Sequence, residues 1–164
     1  VMEWDGRESS GIFVGNPIGW LLRNVNSSLA LFKDNGIRGF SKVLIALRPG
    51  RKNKNFITVA DKICCHFDAS LTLLNIVSAS EKKHKVKRIE SSSKELISIT
   101  QCVSNMKIIE SNSPVEAVSE ESAGYDLLIL GTPEKDNWIR VLFGTGEDRF
   151  VKKAACSVLR LTLK

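Results

Sequence analysis

The chain has 164 residues, 43% hydrophobic and 26% charged, enough for one sizeable core and one complete domain plus an appendage. That balance excludes a disordered or collagen-like chain. Its uncharged stretches, such as 70 to 80 and 127 to 133, fall short of the ~20 apolar residues that span a bilayer. With no basic start followed by an apolar run, the sequence reads as soluble and cytoplasmic.

Four cysteines, Cys64 and Cys65 adjacent and Cys102 and Cys156 far apart, fit neither a disulfide framework nor paired metal ligands. Lys and Arg outnumber Asp and Glu by 24 to 18, a net charge of +6. Lys82, Lys83, Lys85, Lys87 and Arg88 fall within seven residues of one another. That run reads first as a solvated loop or helix start, with an anionic membrane surface or nucleic acid as the other readings. It has no interleaved Phe, Tyr or Trp and no recognition motif, so no nucleic-acid partner is expected.

In chain order, Val1 to Phe40 offer a strand-like start, a loop, a helix and another strand, with no room for a domain of their own. Lys42 to Leu47 is a short apolar run stopped by Pro49-Gly50, a strand buried on both faces. From Lys52 to Asp68, Phe56, Val59, Ala60, Ile63, Cys64 and Phe67 recur at spacings of three and four, the inner face of a helix. Ser70 to Val77 reads as a second buried strand. The basic run then leads a helix to about Val103, with Ile89, Leu96, Ile97 and Val103 inward, followed by a short strand from Met106 to Glu110.

Ser113-Pro114 predicts an N-cap with proline at the first helical position, and Glu116, Glu120 and Glu121 put negative charge toward the start of that helix. Gly124 ends it. Asp126 to Leu130 is a strand, and a short helix holding Phe150, Val151, Ala154 and Ala155 leads into the last strand, Ser157 to Leu163. Alternating strands and helices predict the α/β class: a doubly wound, five-stranded parallel sheet with helices on both faces and right-handed crossovers.

The first forty residues read as a second copy, cut short. A slide of 129 sets Gly15-Asn16 on Gly144-Thr145, Leu21-Leu22 on Phe150-Val151, and Ser28-Leu29 on Ser157-Val158 without a gap. One further residue of slip sets Val1-Met2-Glu3 on Ile129-Leu130-Gly131. The expected organisation is therefore a fragment of a first domain at 1 to 34, a linker at 35 to 41, and a complete domain at 42 to 164. Chance similarity of strand-loop-helix-strand patterns is the alternative. The edge strands, with Ser28, Leu29 and Leu31 in one and Val158, Leu159 and Leu161 in the other, are expected to pair across a pseudo-two-fold axis.

In a doubly wound sheet the ligand crevice lies beyond the carboxyl ends of the strands, where the chain switches direction. The candidates there are Arg48 and Pro49 after the first strand, Val77 at the end of the second, Gly131 and Thr132 after the fourth, and Gly144, Thr145 and Gly146 before the last helix. Glycines let backbone N–H groups approach a phosphate. His66 and His84 have no clustered partners and read as surface or core-edge histidines, so no metal site is expected. An apolar cluster at Trp138, Ile139, Val141, Leu142 and Phe143 reads as docked on the core, or, if exposed, as a partner surface.

The stretch Leu71-Thr72-Leu73-Leu74-Asn75-Ile76-Val77, the strand Asp126-Leu127-Leu128-Ile129-Leu130-Gly131 and the distant Gly144-Thr145 together resemble the universal stress proteins. The resemblance covers 42 to 164 and, as a partial copy, 1 to 34. It implies the fold of the adenine nucleotide alpha hydrolase-like group and a nucleotide or anion site, here degenerate, at Arg48, Pro49, Val77, Gly131, Thr132, Gly144, Thr145 and Gly146. Arg48 stands where many members have Asp, and Glu134 stands at the second glycine position; by the resemblance, the first alters the pocket's polarity and the second repels a triphosphate.

No nucleophile, base and orienting group assemble from this sequence, so an enzyme is not expected. The expected function is a regulatory and dimerisation module without cofactor. It resembles the cytosolic carboxy-terminal regions of membrane transporters of the amino-acid permease and cation-chloride cotransporter type. The partners this implies are a transmembrane domain of the same parent chain and a second or pseudo-second copy through the fifth strands. The alternative is a soluble universal stress protein binding ATP or AMP, with Arg48 able to recruit a monophosphate.

Overall fold

The structure, a computed structural model, describes residues 1–3, 26–48, 53–131 and 149–163. Seven strands form one sheet: β1 (Met2–Glu3), β2 (Leu29–Lys33), β3 (Lys42–Ala46), β4 (Ser70–Val77), β5 (Ser104–Glu110), β6 (Leu127–Gly131) and β7 (Ser157–Thr162). Their spatial order is β1-β2-β7-β6-β3-β4-β5. The described helices are α1 (Asn53–Phe67), α2 (Lys83–Ser98), α3 (Pro114–Ser122) and α4 (Arg149–Lys153). The five strands from β3 to β7 are mutually parallel, and α1, α2 and α3 link successive ones of the first four.

Alternation along the central strands builds two apolar layers. Val43, Ile45, Leu71, Leu73, Leu127, Ile129 and Leu159 point toward Phe56, Ile57, Ala60 and Cys64 of α1 and Leu96 of α2. Leu44, Leu74, Leu128, Leu130 and Val158 point the other way, toward Val118 of α3 and Val151 of α4. Continuous apolar runs in β3 and β6 are what a sheet covered on both faces requires.

Several sequence expectations shift. The helix read as running to Val103 stops at Ser98, and Val103 is 74% exposed rather than inward. The cause is tertiary: the Asp61 carboxylate on α1 accepts hydrogen bonds from the Gln101 and Cys102 backbone N–H groups at 2.9 and 3.0 Å, which pins the chain in a turn. Phe67, expected inside, is 46% exposed and stacks on Phe40, while Ile57 is buried instead. Ser113 precedes Pro114 at the head of α3, but its side chain makes no capping bond. Of the three glutamates assigned to the start of that helix, only Glu116 is there. Glu121 lies in the last turn, against the helix dipole, and is neutralised by Lys107 at 2.7 Å.

β2 and β7 run antiparallel, with Leu29 facing Thr162, Ala30 facing Leu161, Leu31 facing Arg160, Phe32 facing Leu159 and Lys33 facing Val158. β1 lies parallel to β2, Met2 facing Leu31 and Glu3 facing Phe32. β6 lies parallel to β7, Leu130 facing Arg160 and Gly131 facing Leu161. The two halves match in register. Leu31 and Phe32 are 129 positions before Arg160 and Leu161, and Met2 and Glu3 are 128 before Leu130 and Gly131. Exchanging each β2 and β7 residue for its counterpart 129 positions away returns the same set of pairs, centred on Leu31 and Arg160.

The segment after β2 is fastened rather than free. Asp34 accepts from the Gly36 and Ile37 N–H groups and from the Ser157 hydroxyl. The Asn35 side-chain amide donates to the Ala154 and Cys156 carbonyls, and the Lys33 ammonium donates to the Val151 carbonyl.

Candidate functional site

β3 is the first strand of the parallel unit and lies between β6 and β4, so the chain reverses its direction of winding there. The crevice of a doubly wound sheet falls at the carboxyl ends of such a pair. Ala46 of β3 faces Leu130 of β6, which brings the residues that follow, Leu47 and Arg48, level with and just beyond Gly131. Leu47 is buried and Arg48 exposed. The Arg48 carbonyl accepts a hydrogen bond from the Asn53 side chain at 3.0 Å, tying the end of β3 to the first turn of α1.

Gly131 was chosen from sequence as an opening for a ligand. On its α1 side it is already filled: a Cβ placed there would lie 3.1 Å from Phe56 Cζ and 3.2 Å from Leu47 Cδ2. Its carbonyl accepts from the Arg160 guanidinium at 3.2 Å, a side chain only 4% exposed. Val77 is buried at the end of β4, its carbonyl taken by the Ser111 N–H. Pro49, Thr132, Gly144, Thr145 and Gly146 lie outside the described residues, as do Glu134 and the cluster around Trp138. Of the expected site, the structure therefore brings together Arg48 and Gly131, with Val77 at the neighbouring strand end. Of the edge residues, Leu29 and Leu31 lie in β2 and Val158, Leu159 and Leu161 in β7, while Ser28 precedes β2.

Sequence reasoning gives Asp61 no role and reads Asp126 only as the start of a strand. Burial acts to raise Asp61, but donation from Cys102 and Gln101 prevails and holds the carboxyl below its ordinary range. Asp126 is lowered by the Ser41 N–H, against burial, with help from the Lys42 N–H and the Ser41 hydroxyl. Both act as anchors of the chain. The thiols are not activated: burial pushes Cys64 and Cys156 up to about 11, and burial with the bond to Asp61 drives Cys102 higher still. Cys65 is exposed, and its thiol reaches Asp61 at 3.8 Å. His66 is exposed and meets Phe67 edge-on, and among the described residues no group of three His, Cys, Asp or Glu side chains could hold a metal ion. What the described strand ends offer is an exposed Arg48 after β3, the apolar Leu47 and Phe56 packed on Gly131, and the buried Arg160 guanidinium on the Gly131 carbonyl.

An open, doubly wound sheet with its crevice at the β3 and β6 carboxyl ends defines the class. Within that class, the fold is the one seen in solved universal stress proteins. One from Archaeoglobus fulgidus superposes with a TM-score of 0.59 at 12% identity over 82% of this chain and 50% of that one. A universal stress protein in complex with cAMP gives 0.60 at 12% identity, covering 77% of this chain and 99% of that one. A universal stress protein from Archaeoglobus fulgidus in complex with dAMP gives 0.58 at 9% identity, covering 74% of this chain and 98% of that one. The chain thus spans half the length of the first of these. No protein-family model matches the sequence, and no curated protein matches it.

Proposed function

We propose that the chain is a non-catalytic regulatory and assembly module built on the universal-stress-protein fold. In this reading, residues 1 to 34 are the tail of one unit, 42 to 164 are the next, and the segment between them is a linker docked on β7. The observation that carries it is the ladder register: offsets of 128 for β1 and 129 for β2, both found by sliding the sequence, map the β1-β2 pair onto the β6-β7 pair, and the 129 offset maps the β2-β7 pair onto itself. The resemblance of tandem units with altered nucleotide loops supports a parent of the amino-acid permease or cation-chloride cotransporter type. Among the described residues no helix is long and apolar enough to cross a membrane. The test is to read the coding sequence upstream of Val1. Apolar segments of ~20 residues there support the transporter parent, and their absence overturns it.

A second reading, an adenine-nucleotide-binding protein, draws on the neighbours solved with cAMP and dAMP and on the exposed Arg48 at the lip of the crevice. Calorimetric titration with AMP, cAMP and ATP separates the two. The module reading expects no binding tighter than about millimolar. Micromolar binding that is lost in Arg48→Ala puts the second reading first.

A further inference from the structure

We propose that the amino-terminal end of α2 docks this protein on an anionic phospholipid surface. Lys82, Lys83, Lys85, Lys87 and Arg88 are all exposed, while Ile89, Ser93 and Leu96 turn toward the core. Removing those five from the 24 basic residues leaves 19 against 18 acidic ones, a net of +1. Nearly all of the chain's excess positive charge therefore sits on two turns of one helix, about 9 Å along its axis. Among the described residues, that run makes one ion pair, Lys85 with Glu81 at 2.6 Å.

The fold itself does not call for this arrangement. Cations at a helix amino terminus oppose its dipole, and the first turn of α2 holds no acidic residue. Lys83 and Lys87 stand four apart on one face, and Lys82 with Lys85 and Lys85 with Arg88 three apart, spacings at which like charges repel. The helix is held in place despite this. Asn75, buried in β4, donates to the Ser93 hydroxyl at 2.9 Å, and that hydroxyl donates to the Ile89 carbonyl. The charges are presented on a braced element, where an external anion offsets their mutual repulsion.

The composition of the run favours lipid headgroups. Four of the five cations are lysines, compact point charges suited to a diffuse sheet of phosphates, and residues 78 to 98 contain no Phe, Tyr or Trp. Nucleic-acid recognition draws on arginine forks and stacked rings, and this helix holds a single arginine, Arg88, and a single imidazole, His84, among its lysines. The inference rests on α2 alone and stands or falls separately from the module and nucleotide readings.

The test is sedimentation of the 164-residue protein with phosphatidylcholine vesicles containing about one-third phosphatidylserine, against phosphatidylcholine alone, at about 0.05 M and about 0.5 M salt. Binding is expected only to the anionic vesicles and only at low salt. Each neutralised cation should weaken it roughly fivefold. A variant carrying Lys82→Gln, Lys83→Gln, Lys87→Gln and Arg88→Gln should thus lose more than two orders of magnitude, whereas Lys54→Gln with Lys94→Gln should bind as the parent does. Because the removed charges oppose the helix dipole, the four-charge variant should unfold at the parent's temperature or above it, which separates lost docking from lost folding. No sedimentation with anionic vesicles, or sedimentation unchanged in the four-charge variant, overturns the proposal. Tighter retention on duplex DNA than on the vesicles at equal salt overturns it in favour of nucleic acid.

Discussion

Gly131 carries two meanings that only the packing separates. From sequence it is the glycine that opens a phosphate loop; in the structure it is the residue that lets Phe56 and Leu47 close over the end of β6. Gly131→Ala should therefore cost about 1–3 kcal/mol in urea unfolding, because the Phe56 ring is buried and cannot swing away freely. Phe56→Leu in the same background should recover part of that loss, and additive losses would show that the two side chains do not meet. Asp126 gives a pH prediction. Its folded-state value is depressed, so its stabilisation is present in full above the ordinary 3.8 and is lost as pH falls below that. Between about pH 5 and about pH 2 the parent should lose more stability than Asp126→Asn, and equal acid losses in denaturant titrations would argue against the anchor at Ser41 and Lys42.

At the scale of elements, legibility follows the range of the interactions that set each boundary. β4 has the bounds read from sequence, Ser70 to Val77, because an apolar run, a turn at Asp68 with φ 52° and the following serines act locally. α2 ends five residues before its expected stop at about Val103 because its terminator is Asp61, forty residues from Gln101 and on another helix. No local pattern announces such a cap. The crevice was legible as a place, since topology dictates it, but Phe56 as its occupant was not, since a helical apolar spacing says inward and nothing more. β2 is the clearest case of an element whose role is to cover another. Deleting residues 1 to 40 uncovers the backbone row of β7, and amide exchange along Ser157–Thr162 should accelerate markedly in mass spectrometry. Unchanged protection there would mean that β2 contributes little to the ladder.

For the molecule as a whole, the pair at the centre of the β2-β7 ladder decides what the sheet will accept as a neighbour. Position for position, a second β7 docked in the same register would set Arg160 opposite Arg160, two guanidinium groups on a nearly dry face. β2 offers Leu31 at that point instead. A chain that joins two related halves can place unlike residues on its own axis, which no pair of identical subunits can do. Arg160 thereby discriminates between partners: it tolerates the covalently attached strand and repels a copy of itself. The shortened chain lacking 1 to 40 should remain monomeric in the ultracentrifuge, and the same chain with Arg160→Leu should dimerise. In the tandem reading proposed above, the join releases the two halves from having to stay alike, and lets a symmetric contact become a lock with only one key.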